Sequence, residues 1–361
     1  MGSLVSFENT GGDSVKRLIS LIITAALLLS TLTSCTKTSD EKKKFTESFI
    51  DYFDTVATVT GFEKDVESFD KVADDVEYML KGYHELFDIY NSYSGVNNIR
   101  TINENAGVKA VKVDDRIIDL LLFSKEIYDL TKGKTDVTLG AALRLWHNER
   151  EKGISAPESA ALPDESALNA AGQLRGFQYL QIDAENKTVF ITEKGISLDV
   201  GAVAKGYATE KIAMQLEARG VTGYALNIGG NIRVIGDKPD GTKWTAAVRD
   251  PDSDGYLMNI NLDMKSFVTS GSYQRFYTVN GKRYHHIINP ETLYPSDTFS
   301  SVSVLTDDSG KADSLSTALF SMTLEEGKML IASLHDTEAV WVENGGEVHY
   351  SEGFLKSVIK E

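Results

Sequence analysis

Apolar residues recur at helical spacing in two long segments of the first half of the chain. Residues 69–90 and 115–130 repeat them every three or four positions. This spacing puts the apolar side chains on one face, so both segments are predicted to be amphipathic helices. The polar cluster N-S-Y-S-G-V-N-N at 91–98 predicts a turn between them. Further helices are predicted at 164–174, 202–218, 312–322 and 324–334.

Alternating apolar and polar residues predict strands, mostly in the second half of the chain. Residues 45–60 include D-T-V-A-T-V-T, so a first strand is expected there. Other strands are predicted at 179–182, 188–192, 224–235, 244–248, 259–263, 266–269, 276–279 and 301–305, with a closing hairpin at 340–350. This mixed order favours an α+β fold, with mixed or antiparallel sheet and packed helices.

The middle of the chain is predicted to be a helical insertion. G-K-T-D-V-T-L-G-A-A-L-R-L-W at 133–146 predicts a turn that leads into an apolar segment. A charged, proline-containing stretch follows at 147–161, before the helix expected at 164–174. The insertion therefore separates the two long helices from the strand-rich half.

The composition and net charge of the chain argue against nucleic acid as a partner. Hydrophobic residues make up 42% and charged residues 25% of the 361 positions, as in globular proteins. The formal net charge is -16. Nucleic acid is excluded as a partner because phosphate binding needs an excess of Lys and Arg.

The N-terminal segment resembles a bacterial lipoprotein signal. Lys16 and Arg17 precede an apolar run at 18–32, and L-T-S-C ends at Cys35, the only cysteine. Cleavage before Cys35 and lipid on its thiol are expected. The predicted organisation is an extension and signal peptide at 1–34, the lipidated cysteine and tether at 35–46, and one domain at 47–361.

Other interpretations of this segment stay open. An ordinary signal peptide or a membrane anchor is the alternative, although the apolar run is short for a spanning helix. Residues 1–14 fit no signal, so translation starting at Val15 is expected. M-G-S-L-V-S also matches a myristoylation pattern, which we interpret as coincidence.

Two glycine-rich stretches are candidates for ligand binding. In L-D-V-G-A-V-A-K-G-Y-A at 198–208, Asp199 and Lys205 flank a predicted helix start, where free backbone N–H groups bind anions. The alternative is a helix-capping Asp with a solvated Lys. L-N-I-G-G-N-I-R-V-I-G at 226–236 predicts two strands joined by Gly-Gly, which is either a plain turn or a surface for a flat ligand.

Two later stretches carry candidate chemistry. V-T-S-G-S-Y-Q-R-F at 268–276 has hydroxyls around Gly271, and Y-H-H-I-I-N-P-E-T at 284–292 has adjacent histidines, of which only one can face a given cleft. That histidine is the best candidate for a general base. In A-D-S-L-S-T-A-L-F, Asp313 and Thr317 share a helix face and suit Mg²⁺, unless they only decorate a helix start.

Several enzyme classes lack their motifs in this sequence. It contains no G-x-x-x-x-G-K-[ST], G-x-S-x-G, H-E-x-x-H or second cysteine. P-loop kinases, serine hydrolases, zincins and thiol redox enzymes are therefore disfavoured.

Taken in order, the four stretches resemble the ApbE family of FAD:protein FMN transferases, which are membrane-attached bacterial lipoproteins. The likeness runs from about Phe53 to the C-terminus and includes F-D-T-V-A-T-V-T, F-D-I-Y-N-S-Y-S-G-V-N-N-I and G-K-T-D-V-T-L-G-A-A-L-R-L-W. It implies an ApbE-like, T-fold-like core. It also implies Mg²⁺-dependent transfer of FMN from FAD to a Thr or Ser of a target protein, with release of AMP.

The resemblance also assigns roles to residues. Asp313, Thr317 and the carbonyl of Ala202 are similar to the family's Mg²⁺ ligands, and His286 to its proposed base. Residues similar to those lining the FAD site are Val56, Tyr90, Lys134, Thr135, Asp136, Asp199, Lys205 and Ser270. The chain departs from the common pattern at Val56 (often Met), Ala141 (Pro), Asn289 (Asp) and Leu293 (Gly), and none of these changes removes a metal ligand.

The resemblance implies an acceptor protein with a D-G-x-[ST]-G-A-[ST]-like motif, in a membrane redox complex, and an extracytoplasmic location in the cell envelope. Two other functions stay open. One is an FAD diphosphatase that gives FMN and AMP, because water can replace the acceptor hydroxyl. The other is a flavin-binding or solute-binding lipoprotein without catalysis.

Overall fold

The computed structural model describes residues 41–262 and 265–360, and Lys43–Glu361 forms one compact unit. The predicted signal, the lipid on Cys35 and residues 35–40 of the tether lie outside the described residues. The first strand begins at Lys43, so regular structure starts before the boundary predicted at 47. No helix in the described part of the chain is long and apolar enough to cross a membrane.

An eight-stranded antiparallel sheet forms the centre of this unit. Its strand order is β1-β2-β6-β7-β10-β13-β14-β15. The strands span β1 Lys43–Tyr52, β2 Thr55–Glu63, β6 Tyr224–Ile228, β7 Asn231–Ile235, β10 Ser266–Gly271, β13 Phe299–Thr306, β14 Thr337–Glu343 and β15 Val348–Tyr350. The α+β fold expected from the sequence is confirmed.

Three small antiparallel sheets surround it. They contain β3 Val111–Lys112, β5 Thr188–Ile191 and β4 Leu180–Asp183 in that order, then the pair β8 Thr245–Arg249 and β9 Tyr256–Asn261, and the pair β11 Phe276–Val279 and β12 Lys282–His285. The helices are α1 Val66–Phe87, α2 Ile99–Glu104, α3 Asp115–Leu130, α4 Gly140–Ser155, α5 Glu165–Gln173, α6 Ala204–Ala218, α7 Ser309–Phe320 and α8 Leu324–Ala332.

Alternation along the central strands explains why the sheet is covered on both faces. Val268, Val304 and Trp341 pack with α7 and α8, whereas their neighbours Phe267 and Leu305 pack with β8 and β9. Successive side chains of a strand point to opposite faces, so one apolar residue of each pair reaches each layer. Ser270 lies two residues after Val268 and therefore on the same face of the sheet. Its hydroxyl is 2.7 Å from the hydroxyl of Ser316 in α7.

The structure corrects two predictions from the sequence. The single strand expected at 45–60 is a hairpin, because Phe53 and Asp54 both adopt φ of 52° and reverse the chain between β1 and β2. The charged stretch at 147–161, for which no helix of its own is predicted, is helical in its first part, because α4 continues to Ser155 and ends before Pro157. Its charged residues lie mostly on the outer side of the helix, so polarity alone did not mark its end. The sequence also left α2, β3 and β12 unpredicted.

Close packing joins α6 to α7 beneath the candidate site. A Cβ added to Gly206 would lie 2.3 Å from the carbonyl oxygen of Ser309 and 2.4 Å from Cβ of Asp313, so only glycine fits. Beside this contact, buried Arg233 of β7 binds Glu210 of α6 through two nitrogens at 2.8 and 2.9 Å. Glu210 also accepts the backbone N–H of Ser309 at 2.8 Å. Together these bonds fix the start of α7 against α6.

Candidate functional site

A cavity of about 590 Å³ brings the separate sequence motifs together. Its volume is in the range of sites for small molecules and cofactors. All the predicted site residues except Val56 line it: Tyr90, Lys134, Thr135, Asp136, Asp199, Ala202, Lys205, Ser270, His286, Asp313 and Thr317. Val56 lies outside the lining with half of its surface exposed, and its carbonyl oxygen accepts the N–H of Gly229 at 3.1 Å.

Asp313 is the buried carboxylate at the polar end of the cavity. Its Oδ2 accepts the backbone N–H of Gly206 at 2.8 Å and the side-chain amide of Asn231 at 3.3 Å, and Nζ of Lys205 lies 3.5 Å away. These donors offset the cost of burying a charge. Among the described residues none donates to Oδ1, so one carboxylate oxygen is available to a ligand.

The oxygen atoms around Asp313 fit a hard divalent cation. Thr317 follows one helical turn later, and its hydroxyl is 3.3 Å from the carbonyl oxygen of Asp313. Ala202 lines the same cavity just before α6 begins. Carboxylate, hydroxyl and carbonyl oxygens are the ligands that Mg²⁺ takes, and substrate oxygens and water complete its shell. The residues present therefore fit the metal site that the resemblance implies.

The Gly229-Gly230 turn lies directly beside this end. Both glycines adopt positive φ, 59° and 93°, and a Cβ on Gly229 would meet the Thr55 hydroxyl at 2.6 Å. The tight turn leads into β7, where Asn231 and Arg233 share one face and point toward α6 and α7. Asn231 was not singled out from the sequence, although its position directly after Gly-Gly and two before a buried arginine was the available signal.

Two neighbouring turns form the floor of the cavity. The N–H of Gly140 donates to Ser197 at 3.0 Å, and the N–H of Asp199 donates to Val137 at 2.8 Å, so residues 137–140 and 197–199 lie side by side. The hydroxyl of Thr135 donates to the carbonyl of Ser314 at 2.8 Å and thereby attaches this floor to α7. The K-T-D turn and the L-D-V-G turn thus meet at one site.

The carboxyl groups of this floor are less acidic than in water. Burial raises the pKa of Asp136, although Thr138 donates to its Oδ1 from both N–H and hydroxyl. Burial also raises the pKa of Asp199, whose Oδ1 accepts the N–H of Gly201 at 2.9 Å. Because desolvation dominates in both cases, each group gains from a ligand that donates a hydrogen bond.

The two adjacent histidines have different roles. His285 is buried, its Nδ1 accepts the N–H of Ile287 at 3.2 Å and its Nε2 donates to the carbonyl of Ser296. Both its nitrogens are therefore used inside the protein. His286 has Nδ1 3.3 Å from the carbonyl of Arg275, which can only accept, so Nδ1 carries the proton. No residue in the described part of the chain donates to the lone pair of Nε2.

The environment of His286 keeps its ring neutral. Burial lowers its pKa to about 3, and the charges of Arg275 and Lys205 act in the same direction. A neutral imidazole with an available Nε2 is the form that accepts a proton from a hydroxyl. Both histidines line the cavity. Their hydrogen bonds, rather than the strand face on which each lies, therefore decide which one can act as a base.

The wall formed by α4 holds residues that the sequence analysis missed. Leu143, Trp146, His147 and Arg150 all line the cavity. Their spacing of three, four and seven residues from Leu143 is the signal for one helix face, and it was available once the helix was extended past Trp146. The His147 ring packs on Tyr90 with centroids 4.9 Å apart.

Basic side chains at the cavity edge connect loops that are distant in sequence. Nζ of Lys134 pairs with Glu291 at 2.8 Å, and the Arg275 guanidinium donates to the carbonyl of Asp54 at 2.7 Å. Lys205 and Arg150 add two more cations to the lining. The lining also contains five carboxylates, so a diphosphate would be bound by these individual cations rather than by a positively charged cavity.

Known proteins are similar to this chain over most of its length. The pattern of the ApbE family matches residues 53–341. FAD:protein FMN transferase of Treponema pallidum is 30% identical over 276 residues, covering 72% of this chain and 74% of the relative. The protein of that name from Haemophilus influenzae is 28% identical over 358 residues, covering 95% of this chain and 98% of the relative.

Solved structures show the same fold. The ApbE protein of Thermotoga maritima superposes with a TM-score of 0.76 at 26% identity, covering 89% of this chain and 100% of that chain. The apo form of flavinyl transferase ApbE from Pseudomonas stutzeri gives 0.73 at 25% identity, covering 88% and 97%. Because the family pattern spans most of the sequence and includes every candidate site residue, this chain belongs to the ApbE family.

Proposed function

We propose that this protein is an FAD:protein FMN transferase that moves FMN from FAD to a Thr or Ser hydroxyl of an acceptor protein with the help of Mg²⁺. The observation that carries the proposal is the meeting of Asp313, Lys205 and His286 in one cavity. These residues supply a metal-binding carboxylate, a cation for phosphate and a base for a hydroxyl. The relatives that carry this name support the same activity.

The reaction is a phosphoryl transfer, in which positioning and charge neutralisation lower the barrier. Lys205 lies at the start of α6 and is 3.5 Å from Asp313, so its ammonium group would contact a diphosphate bound at this end. Asp313, Thr317 and the Ala202 carbonyl would hold Mg²⁺. When bound, this ion would neutralise the charge that develops on the phosphate oxygens.

His286 would act on the acceptor hydroxyl. Its Nε2 would take the hydroxyl proton as the oxygen attacks the phosphorus atom next to riboflavin, and AMP would leave. The carbonyl of Arg275 holds Nδ1–H and stabilises the ring after it gains the proton. Since the backbone N–H of His286 donates to the same carbonyl at 3.1 Å, the ring orientation is set by the main chain.

The acceptor and the membrane attachment are further parts of the proposal. The acceptor would carry a D-G-x-[ST]-G-A-[ST]-like motif in a membrane redox complex. Lipid on Cys35 would attach the enzyme to the membrane on the extracytoplasmic side, as the basic pair, the apolar run and L-T-S-C support. Labelling cells with a radioactive fatty acid tests this attachment, which predicts a signal in the wild type and none in Cys35→Ser.

Incubation with FAD, Mg²⁺ and an acceptor peptide of this motif tests the activity. Mass spectrometry should find FMN covalently bound to the acceptor. Free FMN and AMP without labelling would instead indicate the diphosphatase. Unchanged FAD would indicate a flavin-binding protein without catalysis.

A further inference from the structure

His147 on α4 is a cavity residue that none of the motifs includes. It shares one helix face with Leu143, Trp146 and Arg150, and Trp146 anchors this face by donating its Nε1–H to the carbonyl of Leu293 at 2.8 Å. Trp146 also packs against Tyr277 and Tyr284 of the β11–β12 hairpin. The helix is therefore held firmly against the element that leads into His286.

The His147 ring and the Tyr90 ring form an aromatic pair at the cavity wall. Their centroids are 4.9 Å apart and their planes meet at 31°. Tyr90 still has 47% of its surface exposed, so aromatic surface remains available to a ligand ring. Flat aromatic rings attract one another in offset stacks, and such stacking is a common means of binding heteroaromatic ligands.

Arg150 determines which nitrogen of His147 carries the proton. Its guanidinium nitrogen is 3.1 Å from Nδ1, and a guanidinium can only donate, so Nδ1 accepts and the neutral ring has its proton on Nε2. Burial, followed by the charge of Arg150, lowers the pKa of His147 and favours this neutral form. Within 41–262 and 265–360 no residue accepts a hydrogen bond from Nε2, which leaves this donor to a ligand.

Asp199 offers an acceptor in the same cavity lining as this donor. Its Oδ1 is used by Gly201, whereas Oδ2 receives no hydrogen bond from the described residues. Asp199, Tyr90 and His147 all line the cavity, and the charge of Asp199 adds to burial in raising the pKa of Tyr90 to about 12. The corner between α4 and the L-D-V-G turn therefore combines aromatic surface, one donor and one acceptor.

We propose that His147 is a specificity-determining residue that binds one heteroaromatic ring of FAD: its Nε2–H donates to the edge of that ring, Asp199 accepts from the same edge, and the exposed surface of Tyr90 stacks on the ring. Both rings of FAD have such an edge. Isoalloxazine has an N–H between two carbonyls, and adenine has an amino group beside ring nitrogens. The inference rests on FAD being the substrate, as proposed above.

Fragments of FAD distinguish the two rings. Calorimetry on the full chain, with Mg²⁺ present, gives the affinities for FAD, FMN and ADP of the wild type, His147→Phe and His147→Gln. Phe keeps a flat ring without the donor, whereas Gln keeps a donor without the ring. We expect both variants to bind FAD about five- to tenfold more weakly, the effect of one lost hydrogen bond or stack. The affinity for only one fragment should fall together with the affinity for FAD. That fragment is FMN if His147 binds isoalloxazine, and ADP if it binds adenine.

His335→Phe is the matched control, because His335 is an exposed histidine outside the cavity. It should bind all three compounds like the wild type, and circular dichroism checks that each variant is folded. Unchanged FAD affinity in both His147 variants, or equal weakening of FMN and ADP, would overturn the inference. If His147→Phe weakens FAD and one fragment but the wild type labels no acceptor, the inference stands and the transferase proposal fails.

Discussion

The polar end and the aromatic wall of the cavity are built in different ways. At the polar end, α6, α7 and β7 converge on Asp313, and both a backbone N–H and side chains donate to one carboxylate. At the wall, Tyr90 follows α1 in a loop and meets His147 of α4 through ring packing. The first arrangement tolerates little movement, whereas the second keeps aromatic surface exposed. We therefore expect changes at the polar end to reduce turnover and changes at the wall to reduce affinity.

The largest effect is expected from Asp313→Ala. The change removes a proposed metal ligand and leaves the donors of Gly206 and Asn231 without their acceptor. Turnover in the presence of Mg²⁺ should fall by about a thousandfold, in line with the loss of a group that stabilises the transition state. FMN attached to the acceptor per minute is the measurement. Wild-type turnover would refute the metal assignment.

Asp308→Ala is the matched control for that variant. Asp308 caps the same helix by accepting the N–H of Lys311 at 3.0 Å, and it does not line the cavity. Its loss should cost about 1 kcal/mol of stability and leave turnover near the wild-type value. A similar loss of turnover in both variants would show that turnover depends on the stability of α7 and not on the carboxylate of Asp313.

His286→Ala should follow, with transfer about a hundredfold slower and FAD affinity nearly unchanged. The general base acts on the acceptor hydroxyl and not on FAD, so the chemical step alone should suffer. Single-turnover transfer rates and calorimetric FAD affinities separate the two effects. Equal losses of rate and affinity would make His286 a pocket residue. His335→Ala provides the control for removing an exposed histidine.

Gly206→Ala should have a smaller effect that links the polar end to packing. The new methyl group meets backbone at Ser309 and the Cβ of Asp313, so α6 and α7 must separate. We expect about 1–3 kcal/mol of destabilisation, together with weaker activation by Mg²⁺. Thermal unfolding and a Mg²⁺ titration of turnover measure both. Gly345→Ala, where nothing lies within 4 Å of the added Cβ, should change neither.

The smallest change is a pH effect at His286. Since its folded pKa is about 3 and its ordinary value is 6.5, its ring should stay neutral between about pH 5.5 and 8. As pH falls below 6.5 the unfolded chain gains a proton that the folded chain does not bind, so His286 makes stability decrease toward acid. Nuclear magnetic resonance of the ring, assigned with His286→Ala, should show no titration in that range. A midpoint near 6.5 would contradict the assignment of a neutral base.

Features set by local spacing could be predicted from the sequence, whereas contacts between distant segments could not. The sequence predicts that Asp313 and Thr317 share a helix face because one helical turn separates them. It predicts that Gly229-Gly230 joins two strands because the pair interrupts a strand pattern. The boundaries of α3 agree with the predicted 115–130 because its apolar spacing is regular and Asp114 caps its start. Asp313 and Lys205 are far apart in sequence and meet at the polar end. Only the resemblance to the ApbE family predicted that they belong to one site.

The rest could not be predicted for physical reasons. The hairpin at Phe53 and Asp54 interrupts no alternation, since two ordinary side chains adopt positive φ there. The polar residues after Trp146 do not predict that α4 continues. His147 and Arg150 were therefore not identified as residues of its cavity face. The position of Asn231 after Gly-Gly indicates a turn, but its contact with Asp313, 82 residues further along the chain, is not part of that local signal.

The most direct test of the central claim is the stoichiometry of the products. Wild-type protein, FAD and an acceptor with the D-G-x-[ST]-G-A-[ST]-like motif are incubated with Mg²⁺ or with a chelator, and AMP and acceptor-bound FMN are counted together. The account predicts equal amounts of both with Mg²⁺ and neither with the chelator. AMP formed with Mg²⁺ while the acceptor stays unlabelled would contradict it.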